Sequence, residues 1–243
     1  MNCRNVVPTL ALVCALLVVW TVEGHTASSF RVGLHFENLG PVPLAIRDAA
    51  VAEAARIWTP YGVVLDAVDG VASCAAGLAS LRVLFDLEPA VRESGEDHHG
   101  TDGLGVIRFD GEGAPESTTT IHYGAVTRIA TSGEVMGLSP AQWPARLRDD
   151  IVARAVGRVL AHEVGHFLLR WPHHPDSGLM RGEFRASSLA DPDDSAFSLT
   201  VVDRARFQIV SAAGLHAPAA RSATKCQPIG SGTVAALRTS DVR

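Results

Sequence analysis

Residues 162–174 read His-Glu-Val-Gly-His-Phe-Leu-Leu-Arg-Trp-Pro-His-His, placing four of the chain's ten histidines in one short stretch. Its first five residues, His162-Glu163-Val164-Gly165-His166, sit inside an apolar, helix-forming run. On a helix, residues four apart share one face a turn apart, so both imidazoles can point at one ion. A reactive zinc site takes three protein ligands and keeps a fourth position for water. A fold carrying this pair must therefore return a third ligand to the same helix. A glutamate beside the first histidine is placed to take a proton from that water.

Five residues alone are weak evidence, and the flanks decide. Val159, Leu160 and Ala161 before the motif, and Phe167 and Leu168 after it, are uncharged, which predicts a buried helix. Two histidines and a glutamate inside a protein need partners, because each unpaired polar group costs about 1–3 kcal/mol there. A metal ion satisfies all three at once. A solvated helix face with stray histidines does not fit such flanks.

The third ligand is less direct. In the spacing H-E-x-x-H-x-x-G-x-x-H the last histidine falls six residues after the second. Here that place is Pro172, and the glycine place is Leu169. His173 and His174 follow just beyond, where Pro172 ends the helix, and Ser177-Gly178-Leu179-Met180-Arg181 then supplies a tight turn with a methionine. This combination resembles a group of bacterial exported zinc-dependent protease-like proteins, with a metzincin-like helix, a longer connector and a Gly-Leu/Ile-Met turn. The resemblance covers residues 30–215 in order of elements and is specific across 159–181. It implies His162, His166 and His174 as zinc ligands, Glu163 as general base and Met180 as the floor under the metal. Arg170 stands where such sequences often have glycine. His173 is the rival third ligand, and Asp176 and Glu183 are further candidates. Met180 also has a plain reading as core filler.

The rest of the chain bounds the setting. Arg4, an apolar run from Leu10 to Trp20, then small residues at Gly24 and Ala27 form a secretory signal pattern over residues 1–27. The run is shorter than the about 20 residues a membrane span needs, so no stable span is expected after cleavage. Cleavage would remove one cation, Arg4, and one anion, Glu23, leaving the formal net charge at −5. That balance gives no reason to expect nucleic acid. Lysine occurs once, at Lys225, and the arginine excess carries no functional assignment. Cys74 and Cys226 remain in the mature chain and could pair in an oxidising compartment.

Alternation over Phe30–Phe36 predicts a strand, and helical spacing of Leu44, Ala45, Val51, Ala54, Ala55 and Trp58 predicts a helix over 43–59. Further strands are expected at 63–68, 81–87, 104–109 and 118–123, with loop chemistry over 88–103. Residues 125–145 are ambiguous. A long helix is expected from Ala145 to Leu169, a loop over 186–196, and a last helix capped by Ser198 or Thr200 that ends at Gly214. Residues 216–243 read as a disordered tail. The fold class is α+β: a zincin-like domain over 28–215, with a small mixed sheet, a first helix, the long helix of the motif, and a short irregular C-terminal part with one helix.

The expected chemistry is hydrolysis of peptide bonds in a protein or peptide substrate by a zinc-activated water, with Zn2+ as cofactor. An exported zinc-binding module without catalysis, and a zinc amidase acting on a non-protein substrate, are the alternatives. His122 and Tyr123, on a strand ahead of the long helix, are candidates to border a peptide-binding edge and steady an oxyanion, although an edge-strand aromatic needs no such role.

Overall fold

A computed structural model describes residues 30–37, 40, 42–68, 79–87, 103–135, 137–193 and 195–214. The signal segment 1–27, most of the 88–103 loop with His98 and His99, both mature cysteines Cys74 and Cys226, and the tail 216–243 lie outside the described residues.

Five strands form one mixed sheet: β1 (Phe30–Glu37), β2 (Val63–Val68), β3 (Ala79–Asp86), β4 (Gly105–Phe109) and β5 (Pro115–His122), in the order β2-β1-β3-β5-β4. The first four in that order run parallel, and β4 alone is antiparallel, on β5. Val63 and Leu65, Leu81 and Val83, and Gly105 and Ile107 are buried, whereas Val64, Ser80, Arg82, Val106 and Arg108 are exposed. This alternation means one face of the sheet is covered and the other meets water.

The covering layer is made by α1 (Leu44–Trp58) and α3 (Ala145–Leu169), which pack on each other. α1 lies over β2, and α3 over β4 and β5. The apolar stripe read from the sequence holds for the first turns of α3. From Ile151 to Leu169 almost every residue is buried, including Arg158, His162, Glu163 and His166. Trp58, fully buried, ties the helices together through its indole N–H, which donates to Ala161 O at 3.0 Å.

Between β5 and α3, the stretch left ambiguous in sequence contains α2 (Tyr123–Ala130), which packs on α3. After α3 the chain has no strand among the described residues. It runs through the Gly178–Met180 turn, a five-residue helix α4 (Ala186–Ala190) inside the expected loop, and α5 (Val201–Ala212). Thr200 caps α5 with Asp203 in a reciprocal box: Asp203 N–H donates to Thr200 Oγ1, and Thr200 N–H to Asp203 Oδ2. The α+β architecture is the one expected. Among the described residues no helix is long and apolar enough to cross a membrane.

Candidate metal centre

His162 and His166 project from one face of α3 a single turn apart, and each ring is oriented by a backbone carbonyl. His162 Nδ1 lies 2.8 Å from Leu179 O, and His166 Nδ1 lies 2.6 Å from Trp171 O. A carbonyl oxygen only accepts, so both Nδ1 atoms carry the proton and both Nε2 atoms present bare lone pairs. His174 comes back from the irregular segment to meet them. The three Nε2 atoms stand 3.0 Å (His162–His166), 3.0 Å (His166–His174) and 3.2 Å (His162–His174) apart.

That spacing tests whether an ion fits. Three nitrogens held tetrahedrally at zinc's bond length of about 2.0–2.1 Å stand about 3.4 Å from one another. The observed triangle is slightly tighter, and an ion fits at its apex. Without a cation, two proton-free nitrogens at 3.0 Å repel. Burial also holds the imidazoles neutral: it pushes His166 down to about 4 and His162 well below its ordinary value, with the neighbouring histidines adding to both. Neutral imidazole is the form that ligates. His162, His166 and His174 thus form a group able to hold a metal ion, with two of the rings buried.

Glu163 sits beside them at 1% exposure. Burial pushes its carboxyl up to about 8, partly opposed by a hydrogen bond with the Thr119 hydroxyl. Its Oε2 is buried without a hydrogen-bond partner. The carboxylate lies close against the start of β4, where a Cβ at Gly105 would come 2.7 Å from Glu163 Oε1 and force it to shift. The end of the same strand also reaches the site: the Phe109 ring meets the His166 ring edge-on at 6.2 Å.

Below the helix, Leu179 accepts from His162 through its carbonyl while its own N–H donates to Ser198 O at 2.8 Å. Met180, 1% exposed, follows directly. A Cβ on Gly165 would clash with Met180 Sδ, so glycine in the motif is what lets the thioether lie against α3 between the two histidine turns. Phe184 closes another side, its ring 5.4 Å from that of His162.

α3 ends at Arg170, which takes left-handed backbone angles (φ 49°, ψ 50°) and is the sole non-glycine residue with positive φ among those described. This is the position where the sequence lacks an expected glycine. Such a conformation costs an ordinary residue about 1–2 kcal/mol. The carbonyls of Leu169 and Arg170 are both taken by Arg206 of α5, at 2.8 and 2.9 Å.

The structure separates the sequence candidates. His162, His166 and His174 converge. His173 points to the surface, where its ring meets that of Trp171 at 5.8 Å, and Asp176 and Glu183 are exposed and outside the cluster. The expectation for His122 and Tyr123 is corrected: β5 is an interior strand between β3 and β4, so no peptide can add to it, and the sheet edge near α3 belongs to β4. His122 Nδ1 lies 3.6 Å from Asp86 Oδ2, and Tyr123 packs on Phe85. Sequence reading missed Gly105, Phe109 and Thr119. Thr119 left one trace, a polar residue on the inward side of a strand whose next inward residue is Ile121. No protein-family model matches the chain, and no curated protein is significantly similar to it.

Proposed function

We propose that the chain is a zinc-dependent metallopeptidase of the zincin, metzincin-like kind, exported through its N-terminal segment, with His162, His166 and His174 as ligands and Glu163 as general base. One observation carries the reading: three imidazole Nε2 atoms, two of them held proton-free by carbonyls on Nδ1, converge within 3.2 Å of one another beside a buried carboxylate whose Oε2 has no partner. A purely structural zinc site closes its fourth position and has no use for such a carboxylate.

When bound, zinc would lower the pKa of a water toward neutrality and polarise a substrate carbonyl. The protein's own groups do the rest. Leu179 O and Trp171 O hold the imidazoles in the ligating tautomer. With a divalent ion held by the three histidines, Glu163 would favour its ionised form, against the effect of burial. Glu163 Oε2 would take a proton from water as that water's oxygen bonds to the carbonyl carbon, and return it to the amide nitrogen as the carbon–nitrogen bond breaks. Phe109 and Phe184 flank the histidines and keep bulk water away from the reacting atoms.

The edge strand supports a peptide as substrate. Among the described residues β4 pairs on one side only, with β5. Gly105 at its start touches Glu163, and Phe109 at its end touches His166. An extended chain pairing with the open side of β4 would be laid along the histidine cluster.

The test combines metal content with cleavage of an unfolded protein substrate. The purified protein is expected to hold one zinc per chain and to lose cleavage on treatment with a chelator. Glu163→Gln is expected to keep the metal and lose activity by about 10²–10⁴-fold, the usual weight of a general base. Unimpaired cleavage by the zinc-loaded Gln variant removes the proposed mechanism. An absence of bound zinc removes the whole reading.

A further inference from the structure

Arg206 lies on α5, far along the chain from the motif, yet one guanidinium touches three consecutive residues at the exit of α3. Its Nε donates to Leu169 O at 2.8 Å, its Nη2 donates to Arg170 O at 2.9 Å, and its Cζ lies 4.7 Å from the centre of the Trp171 ring. The middle residue, Arg170, holds the left-handed conformation that helix exits normally assign to glycine. The third, Trp171, supplies the carbonyl that faces His166 Nδ1 at 2.6 Å. The direction of that carbonyl follows from the backbone angles at Arg170. An extended or right-handed Arg170 would carry Trp171 O away from the ring and take the connector to His174 along another path.

We infer that Arg206 is a positioning residue for the metal centre: it clamps the strained exit at Arg170, so that Trp171 O holds His166 as the Nδ1–H tautomer with Nε2 turned to the ion. The inference rests on the proposed three-histidine site. It assigns α5, which contributes no ligand, a share in metal affinity. Lysine cannot replace this arginine, because a single ammonium does not reach two carbonyls in a fixed fork while stacking on an indole.

The experiment uses the full chain as wild type, Arg206→Lys, Arg206→Ala and the double variant Arg206→Ala/Arg170→Gly. Zinc affinity is measured by competition with a chromophoric chelator. The Co2+ absorption spectrum and the His166 Nδ1–H proton resonance report ligand geometry, and circular dichroism checks folding. Both single variants are expected to bind zinc about 10–100-fold more weakly, the usual loss when a ligand's outer partner is disturbed. They should also show an altered Co2+ spectrum and a lost or shifted Nδ1–H resonance. Arg170→Gly in the alanine background should recover affinity at least about tenfold, because glycine adopts the exit conformation without a clamp.

A folded Arg206→Lys or Arg206→Ala variant with wild-type affinity and spectrum overturns the inference. So does failure of Arg170→Gly to restore binding. If the alanine variant does not fold, the lysine variant decides alone by the same criteria. Failure of the wild type to bind metal is a separate result that overturns the metal site itself.

Discussion

The parts of the molecule before and after α3 are held by different means. Before it, ladders between strands pair the backbone, and alternating residues such as Val32, Leu34, Leu81, Val83 and Ile121 vanish into the core. After it, among the described residues, no strand pairs the backbone, and arginine side chains supply several of the donors to its carbonyls. Arg154 Nη1 donates to Ala190 O, Arg158 to the carbonyls of Ser188 and Asp193, Arg204 to Leu199 O, and Arg206 to Leu169 and Arg170. Arg158 also stacks 4.4 Å from the centre of Phe197. A partly buried irregular segment must find partners for its inward carbonyls, and a guanidinium offers five donors in a rigid fork. Four of the chain's arginines have this use. The first region fixes His162, Glu163 and His166 through α3, while the second brings His174 and Met180 to them. The site is thus only as well formed as the arginine-held segment.

The sharpest break of this comparison comes from the two adjacent histidines of that segment. His174→Ala should weaken metal binding by more than about 100-fold, since disturbing even an outer partner of a ligand costs about 10–100-fold. His173→Ala removes an exposed ring and should change affinity by less than about twofold, in line with the small effects of surface substitutions. Competition titrations on the two variants decide it. Equal losses would mean that the segment does not hold a single path past Arg170.

A second test compares the anchors of the two regions. Arg158 is buried, and its Nε bonds Glu53 Oε1 at 3.0 Å. Arg158→Met leaves the Ser188 and Asp193 carbonyls without their guanidinium donor, while Glu53 keeps Arg56 at 2.8 and 2.9 Å, and should destabilise the protein by about 2–5 kcal/mol. Leu34→Ala in the sheet should cost about 2–5 kcal/mol. Urea unfolding measures both. The two variants should part in metal affinity, which falls in folded Arg158→Met as Ser188–Asp193 loosens and stays within about twofold in folded Leu34→Ala. Equal metal affinity in both would merge the two regions into one cooperative unit.

The same division governs what could be read in advance. β1, α1 and β2 were legible because period-two and period-3.6 patterns are local, and α3 because Pro144 and Pro172 bracket its apolar run. α2 was not, since it is short and its N-cap residue His122 makes no side-chain capping bond. The insertion of β5 between β3 and β4 could not be read either, because strand order depends on pairing partners and not on local pattern. The carbonyl contacts of Arg158 and Arg206 span 30 residues or more, so no window of sequence contains both ends. His162, Glu163 and His166 were legible from spacing on one helix. The choice between His173 and His174 rests on the backbone turn at Arg170, in a residue whose type does not announce it.

The pH dependence of the metal-free protein sharpens the picture further. His162 and His166 are held below their ordinary 6.5 by burial, so as pH falls below 6.5 the unfolded chain takes up protons that the folded one refuses, and stability is lost, for His166 down to about 4. Glu163 runs the other way. Its carboxyl is raised from 4.5 to about 8, so stability is lost as pH rises through that interval. Two histidines outweigh one glutamate below 6.5, and the glutamate acts alone above it. Thermal melting of the apo protein should therefore give a maximum near pH 6.5. Glu163→Gln should abolish the decline between 6.5 and 8 while leaving the acid limb intact. A decline that persists in the Gln variant would assign it to another group.

The smallest expected effect concerns Met180, which belongs to the arginine-held segment but touches the helix of the other region. Its sulfur packs against Gly165, with Trp58 close by, in a space set by the absence of a side chain at 165. Leucine has nearly the same volume but branches at Cγ, so Met180→Leu should cost under about 1.5 kcal/mol, as volume-conserving core changes do. If Met180 acts through shape alone, metal affinity should follow the packing and change by only a few-fold. A loss of tenfold or more with near-native stability would instead mean that the polarisable sulfur itself is felt by the histidines above it. Unfolding and competition measurements on this one variant therefore separate a packing role for the turn from an electronic one.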